Sequence, residues 1–172
     1  MEPRLTPLPP PADVITAAEL REIGLFGGLG DELLQHLAVT LRILNRGAEE
    51  LIFSEGAEAR EFYVLLRGEI EIFKVLKTGA EARIATLSPG QWFGEMSVFD
   101  VQRRSASVRT LVPCRFLIVT ARDLDALYRR DLKSYTLLVL NVTRELARRL
   151  RLVDELVADF IGRVGNQHIG YG

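Results

Sequence analysis

The chain has 172 residues and a mass of 19.3 kDa, one domain's worth with room for an extra element. Hydrophobic residues make up 48% and charged residues 26%, the balance of a chain that buries a core without metal or disulfide. The net charge of −1 sets up no field drawing nucleic acid or an anionic membrane, and the single cysteine, Cys114, excludes a disulfide framework, a multi-thiolate cluster and a zinc finger.

Met1–Pro11 holds five of the seven prolines and no apolar leader core, so residues 1–15 read as an extended, disordered tail. Thr16 and Glu19 have capping-box spacing for a short helix that Gly24 can stop. Gly27, Gly28 and Gly30 make a bend. Asp31–Leu41 then puts Leu33, Leu34, Leu37 and Leu41 on one helical face.

From Arg42 the period changes to two. Short runs at Leu41 and Ile43, Leu51 and Phe53, Phe62–Leu66, Ile70–Val75, Ala106–Val112 and Cys114–Val119 read as strands. Glycines 47, 56, 68, 79 and 90 punctuate them at turn positions. Such spacing predicts a closed barrel or jelly roll, because closure removes exposed edges.

Thr120 caps a helix over Arg122–Arg130, and a long helix follows from about Asp131 to Val164. Leu132, Tyr135, Val139, Val142, Leu146, Arg149, Val153, Leu156 and Phe160 recur by three and four residues, a heptad seam interrupted only by Arg149. One reading packs this helix on its own domain along part of its length. The sharper one makes its second half a parallel homodimer seam, since a long apolar stripe needs cover. Residues 165–172 read as a flexible tail. No apolar stretch is long enough to span a membrane, so the expected location is the cytoplasm.

The densest chemical signal is Gly90–Val108. Phe93, Gly94 and Glu95 open a single helical turn, Met96–Phe99, and nine residues after Glu95 come Arg104, Ser105 and Ala106. Glycine permits close backbone approach, and an arginine forks onto two phosphate oxygens while a hydroxyl or amide adds a donor. A carboxylate beside such an anion makes sense only if it accepts from the ligand, as it would from a ribose hydroxyl. The bland alternative is that Glu95 and Arg104 pair with each other in an empty cassette.

These residues resemble the phosphate-binding cassette of the cyclic-nucleotide-binding domain family. Leu25-Phe26, Gly28-Leu29, Glu55-Gly56, Phe62-Tyr63 and Gly68 also match its barrel pattern, and the likeness runs from about Leu20 to Phe160. The resemblance implies an α+β fold: a cyclic-nucleotide-binding β-barrel or jelly roll with short N-terminal helices (16–130) and a long C-terminal lid and dimerisation helix (131–164). It implies cAMP or cGMP as ligand and no cofactor. Arg104 would grip the cyclic phosphate, Glu95 would accept from the ribose 2′-hydroxyl, and Ser105 would add a hydroxyl bond. Gly94, Met96 and Ala106 would offer amides beside Phe93, and Arg149 would reach back towards Glu95. Val153 and Asp154 stand where the activator branch of the family carries hydroxyl residues for adenine. Asp154 then either accepts from guanine or is a solvated helix carboxylate.

Only eight residues follow Val164, too few for the recognition helix of that branch. The expected role is a stand-alone sensor or regulatory module acting on an unidentified protein partner, without nucleic acid or membrane, and not an enzyme. A ligand-free dimerising scaffold is the alternative. A cupin-type enzyme is disfavoured, because His36 and His168 leave no histidine cluster in the barrel. His36 reads as a packed or surface residue, Trp92 as core, and Cys114 as buried and inert.

Overall fold

The structure, a computed structural model, describes residues 14–167, with side chains described to residue 163. The expected N-terminal tail lies outside the described residues except for Val14 and Ile15, of which Ile15 is buried. His168 also lies outside them.

Three helical pieces open the chain. Helix α1 (Ala17–Arg21) is closed by the Thr16–Glu19 capping box, a 3-10 turn spans Gly24–Phe26, and α2 covers Asp31–Thr40. Eight strands follow: β1 (Arg42–Arg46), β2 (Leu51–Phe53), β3 (Glu61–Arg67), β4 (Ile70–Val75), β5 (Glu81–Leu87), β6 (Trp92–Phe93), β7 (Ser107–Thr110) and β8 (Cys114–Thr120). They form two antiparallel four-stranded sheets, ordered β1-β8-β3-β6 and β2-β7-β4-β5, with α3 (Met96–Phe99) between β6 and β7. This is the expected jelly roll.

The first sheet is covered on both faces, which explains the unbroken apolar run of β3. Phe62 and Val64 face the helices, joined by Leu117 and Val119 of β8, while Tyr63, Leu65, Phe116 and Ile118 fill the space between the sheets. The second sheet has one dry face. Its other side carries Glu71, Arg83 and Arg109, tied by ion pairs.

Two strands had no clear sequence signal. Strand β5 is an edge strand whose residues are mostly exposed, so its side chains do not alternate in polarity. Strand β6 has two residues, below the length at which a period shows. Of the five turn glycines, 56, 68, 79 and 90 take positive φ and Gly47 does not. At Gly68 (φ +97°) a β-carbon would stand 2.5 Å from the Cys114 sulfur, so only glycine fits.

Helix α4 (Ala121–Arg130) starts from a Thr120–Asp123 capping box, and α5 (Leu132–Gln167) is capped by Asp131, whose carboxylate accepts from the amide and hydroxyl of Ser134. Helix α5 continues three residues past the expected Val164. At 36 residues it is about 54 Å long. Its seam divides in two. Leu138 and Val142 are buried in the helical core, with Tyr135, Leu137 and Leu146 packed against it, and the Asn141 amide donates to the carbonyls of Leu25 and Gly27. Leu132, placed in the seam by its spacing, is exposed, and Leu138 lies in the core instead. Beyond Arg149, Leu150, Val153, Leu156, Val157, Phe160 and Ile161 are all at least half exposed.

Candidate functional site

The cassette begins where β6 leaves the sheet. Phe93 pairs with Tyr63 across β3, stacks on its ring at 5.3 Å and meets the edge of Phe116 at 5.8 Å. These contacts fix the exit of the strand. Gly94 follows at φ +82°, and a β-carbon there would lie 2.6 Å from Nη1 of Arg104. Glycine is required twice over, by its backbone and by the arginine against it. The chain then turns into α3, with the Glu95 carbonyl accepting from the amides of Val98 and Phe99. The Ser97 hydroxyl donates to the Arg103 carbonyl (3.3 Å) and Nη1 of Arg103 donates to the Gly56 carbonyl (2.9 Å), closing the loop on the β2–β3 connection.

Arg104 is pinned by its backbone to that same connection: its amide donates to the Ala57 carbonyl and its carbonyl accepts from the Gly56 amide. The side chain is 4% exposed. Nη1 donates to the Gly94 carbonyl (2.8 Å) and Nη2 to the Glu61 carbonyl (2.7 Å), the guanidinium lies 4.0 Å from the centre of the Phe53 ring, and Nε has no hydrogen-bond partner among the described residues. All of these partners are neutral. Burial therefore pushes the guanidinium below its ordinary value. A buried cation facing only carbonyls and a ring leaves part of its desolvation cost uncompensated, which a bound anion would offset.

Glu95 is buried as deeply, at 1% exposed, and pairs with Arg149 rather than Arg104. The expected alternative of a direct Glu95–Arg104 pair is thus not formed. Nη1 of Arg149 donates to Glu95 at 3.1 Å, Nη2 to the Trp92 carbonyl at 2.7 Å, and Nε to Glu145 at 2.8 Å. Glu145 also accepts two bonds from Arg148. Burial raises the Glu95 carboxyl above its ordinary value, with the Arg149 charge opposing the rise. A single arginine thus joins α5, the end of β6 and the acidic residue of the cassette. Arg149 leaves the solvated basic face formed by Arg144, Arg148 and Arg151, because its fork finds acceptors inside.

Of the other expected residues, Met96 and Ser105 are exposed at the cassette and Ala106 is buried just before β7. Val153 and Asp154 are exposed on α5 and form no hydrogen bond or ion pair with the cassette among the described residues. The sequence reading did not single out Phe53, Glu61 or Glu145. Glu145 had a signal in its spacing of three and four from Arg148 and Arg149. Glu61 contributes a backbone carbonyl, which no residue type announces. Cys114 is buried, within reach of the Glu69 and Val112 carbonyls, and burial raises its thiol. His36 is half-buried on α2. Among the described residues no cluster of three metal-binding side chains occurs, and no helix is long and apolar enough to cross a membrane.

The sequence and the fold have known counterparts. Residues 44–131, just over half of the chain, match the cyclic nucleotide-binding domain family. The chain is 29% identical over 153 residues to the CRP-like cAMP-activated global transcriptional regulator of Mycobacterium tuberculosis, covering 86% of this chain and 66% of that protein. The structure of the Thermus thermophilus catabolite activator protein superposes with a TM-score of 0.70 at 32% identity, over 81% of this chain and 63% of that one. A cyclic nucleotide-binding domain from Methylobacillus flagellatus, 23% identical, shares the fold with a TM-score of 0.74, over 84% of this chain and 82% of its own. The chain thus spans a little under two thirds of the two activator proteins. With the family model matched over more than half of its length and the jelly roll shared, it belongs to the cyclic nucleotide-binding domain family.

Proposed function

We propose that the chain is a cyclic-nucleotide sensor, binding cAMP or cGMP and signalling through protein–protein contacts. The observation that carries this reading is Arg104: a buried guanidinium that, among the described residues, has an unpartnered Nε and only neutral acceptors. A cyclic phosphate supplies the missing charge. In this reading Glu95 accepts from the ribose 2′-hydroxyl, Ser105 adds a hydroxyl bond, and Gly94, Met96 and Ala106 offer amides beside Phe93. Arg149 shares Glu95 with the sugar. Binding draws Arg104 off the Gly94 and Glu61 carbonyls, and α5 follows through Arg149, a population shift between two arrangements of the helix. Val153 and Asp154 meet the base only if α5 closes further or a second copy brings them, and Asp154 would accept from guanine.

Residues 16–130 then form the sensing unit and 131–164 the lid and dimerisation helix. The exposed stripe from Leu150 to Ile161 supports a homodimer. The relatives named for cAMP activation support a regulator in the cytoplasm rather than an enzyme. No nucleic acid or membrane enters this reading, and the downstream protein partner is set by the surface the dimer presents.

One observation favours the scaffold reading instead: Arg104 already holds two carbonyls, and Glu95 already holds Arg149. Calorimetric titration with cAMP and cGMP, after removal of any co-purifying nucleotide, separates the two. Saturable binding lost in Arg104→Ala, with the variant still melting cooperatively, supports the sensor, and the tighter ligand reports on Asp154. Absence of binding by both nucleotides leaves the scaffold.

A further inference from the structure

Strand β2 carries one aromatic residue, Phe53, and an irregularity in its pairing turns that residue inward. Leu51 pairs with Arg109 on the outer side of the sheet and is exposed, whereas Phe53 pairs with Val108, which is buried between the sheets. Two steps along β2 thus match one step along β7, and Ile52 is the extra residue of a β-bulge. Plain alternation would leave Phe53 on the same side as Leu51. With the bulge, both Ile52 and Phe53 pack against the inner cluster.

The re-aimed ring lies under the cassette. Its centre is 4.0 Å from the Arg104 guanidinium carbon, and a β-carbon at Gly94 would stand 3.5 Å from its Cε1. The rings of Tyr63 and Phe93, each centred 6.0 Å away, hold it in place. Contact through the guanidinium carbon leaves the N–H groups at the rim for hydrogen bonds. The face of the ring attracts the cation without neutralising it, so the charge stays available to an anion. Arg109 differs: the Phe73 ring lies 4.6 Å from it, but Glu71 and Glu81 take up its charge.

We propose that Phe53 is a positioning residue of the nucleotide site, a role that rests on the sensor reading. It is the platform on which Arg104 exchanges the Gly94 and Glu61 carbonyls for the cyclic phosphate while its face stays on the ring. The rotamer freedom an arginine loses on binding is then removed in advance. Leucine would fill much of the same space but offers no negative face.

The test compares the wild-type chain with Phe53→Leu and the conservative Phe53→Tyr. Without nucleotide, the Arg104 Nε–H resonance, identified by its loss in Arg104→Ala, reports the platform directly. It is expected upfield in the wild type and in Phe53→Tyr, from the ring current, and shifted towards the other arginines in Phe53→Leu. Calorimetry with cAMP and cGMP should then show affinity about tenfold weaker in Phe53→Leu and within about twofold in Phe53→Tyr, all three melting cooperatively. A resonance unmoved in Phe53→Leu overturns the proposal whatever the nucleotides do. So does a moved resonance with unchanged affinity, or an equal loss in both variants, which reports packing rather than the ring face. A wild-type chain that binds neither nucleotide ends the sensor reading and this role with it, and is told apart by the resonance, which still moves.

Discussion

Glu71 and Arg104 are buried to the same extent, each 4% exposed, in two parts of one barrel. Glu71, on the outer side of the second sheet, accepts from Arg83 at 2.6 Å and is also bound by Arg109, which reaches on to Glu81. The Arg109 hydrogen bonds hold its carboxyl below the ordinary range, against its burial. Arg104 has no carboxylate partner among the described residues and is pushed the unfavourable way. The difference separates architecture from function. A charge the sheet needs for itself is matched by the sheet, whereas the charge in the cassette is left short.

The largest expected effect comes from Arg104→Ala. On the sensor reading, nucleotide affinity falls at least about 100-fold, the scale of a desolvated charge-assisted fork. The melting temperature meanwhile holds or rises, because an incompletely paired cation has gone. Calorimetry and a thermal melt read both; unchanged affinity would end the contrast between the two charges.

Gly94→Ala tests the same site from the backbone side. At φ +82° with Arg104 2.6 Å from the new carbon, it should cost about 1–3 kcal/mol by urea denaturation and remove nucleotide binding as well.

Glu71→Gln should do the reverse, lowering the melting midpoint by a few degrees and leaving affinity untouched. Its signature is in the pH dependence. With the folded carboxyl held low, the Glu71 contribution is complete above the unfolded pKa and fades as pH falls through the folded one. The variant should therefore have a shallower acid limb. Glu95 has the opposite sign. Its raised carboxyl contributes stability below the unfolded pKa and loses it as pH rises through the folded one, so Glu95→Gln should shift stability at neutral rather than acid pH.

Glu145→Gln is expected to be the smallest change. It loosens Arg148 and Arg149 on the helix surface, costs about 1 kcal/mol or less, and weakens nucleotide binding only a few-fold. A loss as large as that from Arg104→Ala would make Glu145 part of the binding machinery.

Much of this was legible from the residues. The capping boxes at Thr16 and Thr120 were readable because they are local, and so was the run Phe93-Gly94-Glu95 with Arg104 nine residues on. The jelly roll followed from period two and regular turns. Strand β5 was not legible, because an exposed edge strand has no dry face to impose alternation. The division of α5 into a covered and an uncovered part was legible in outline, but not residue by residue: heptad spacing shows where apolar residues align but not which of them the chain's own domain covers. Leu138 lies outside the aligned row yet is buried, and Leu132 lies in it yet is exposed. The neutral surroundings of Arg104 were hidden for another reason. They consist of carbonyls, which every residue carries.

The attachment of α5 gives it the mechanics of a lever. Asn141, gripping two carbonyls of the 3-10 turn, serves as the fulcrum, and Leu138 and Val142 fix the short arm in the core. Arg149 is a strut two turns along. From Asn141 to Ile161 the long arm measures about 30 Å, so a tilt of about 10° carries its tip about 5 Å. The strut stands about 12 Å from the fulcrum, so the same tilt moves it about 2 Å, and the motion grows towards the end of the helix, where the apolar residues stand uncovered.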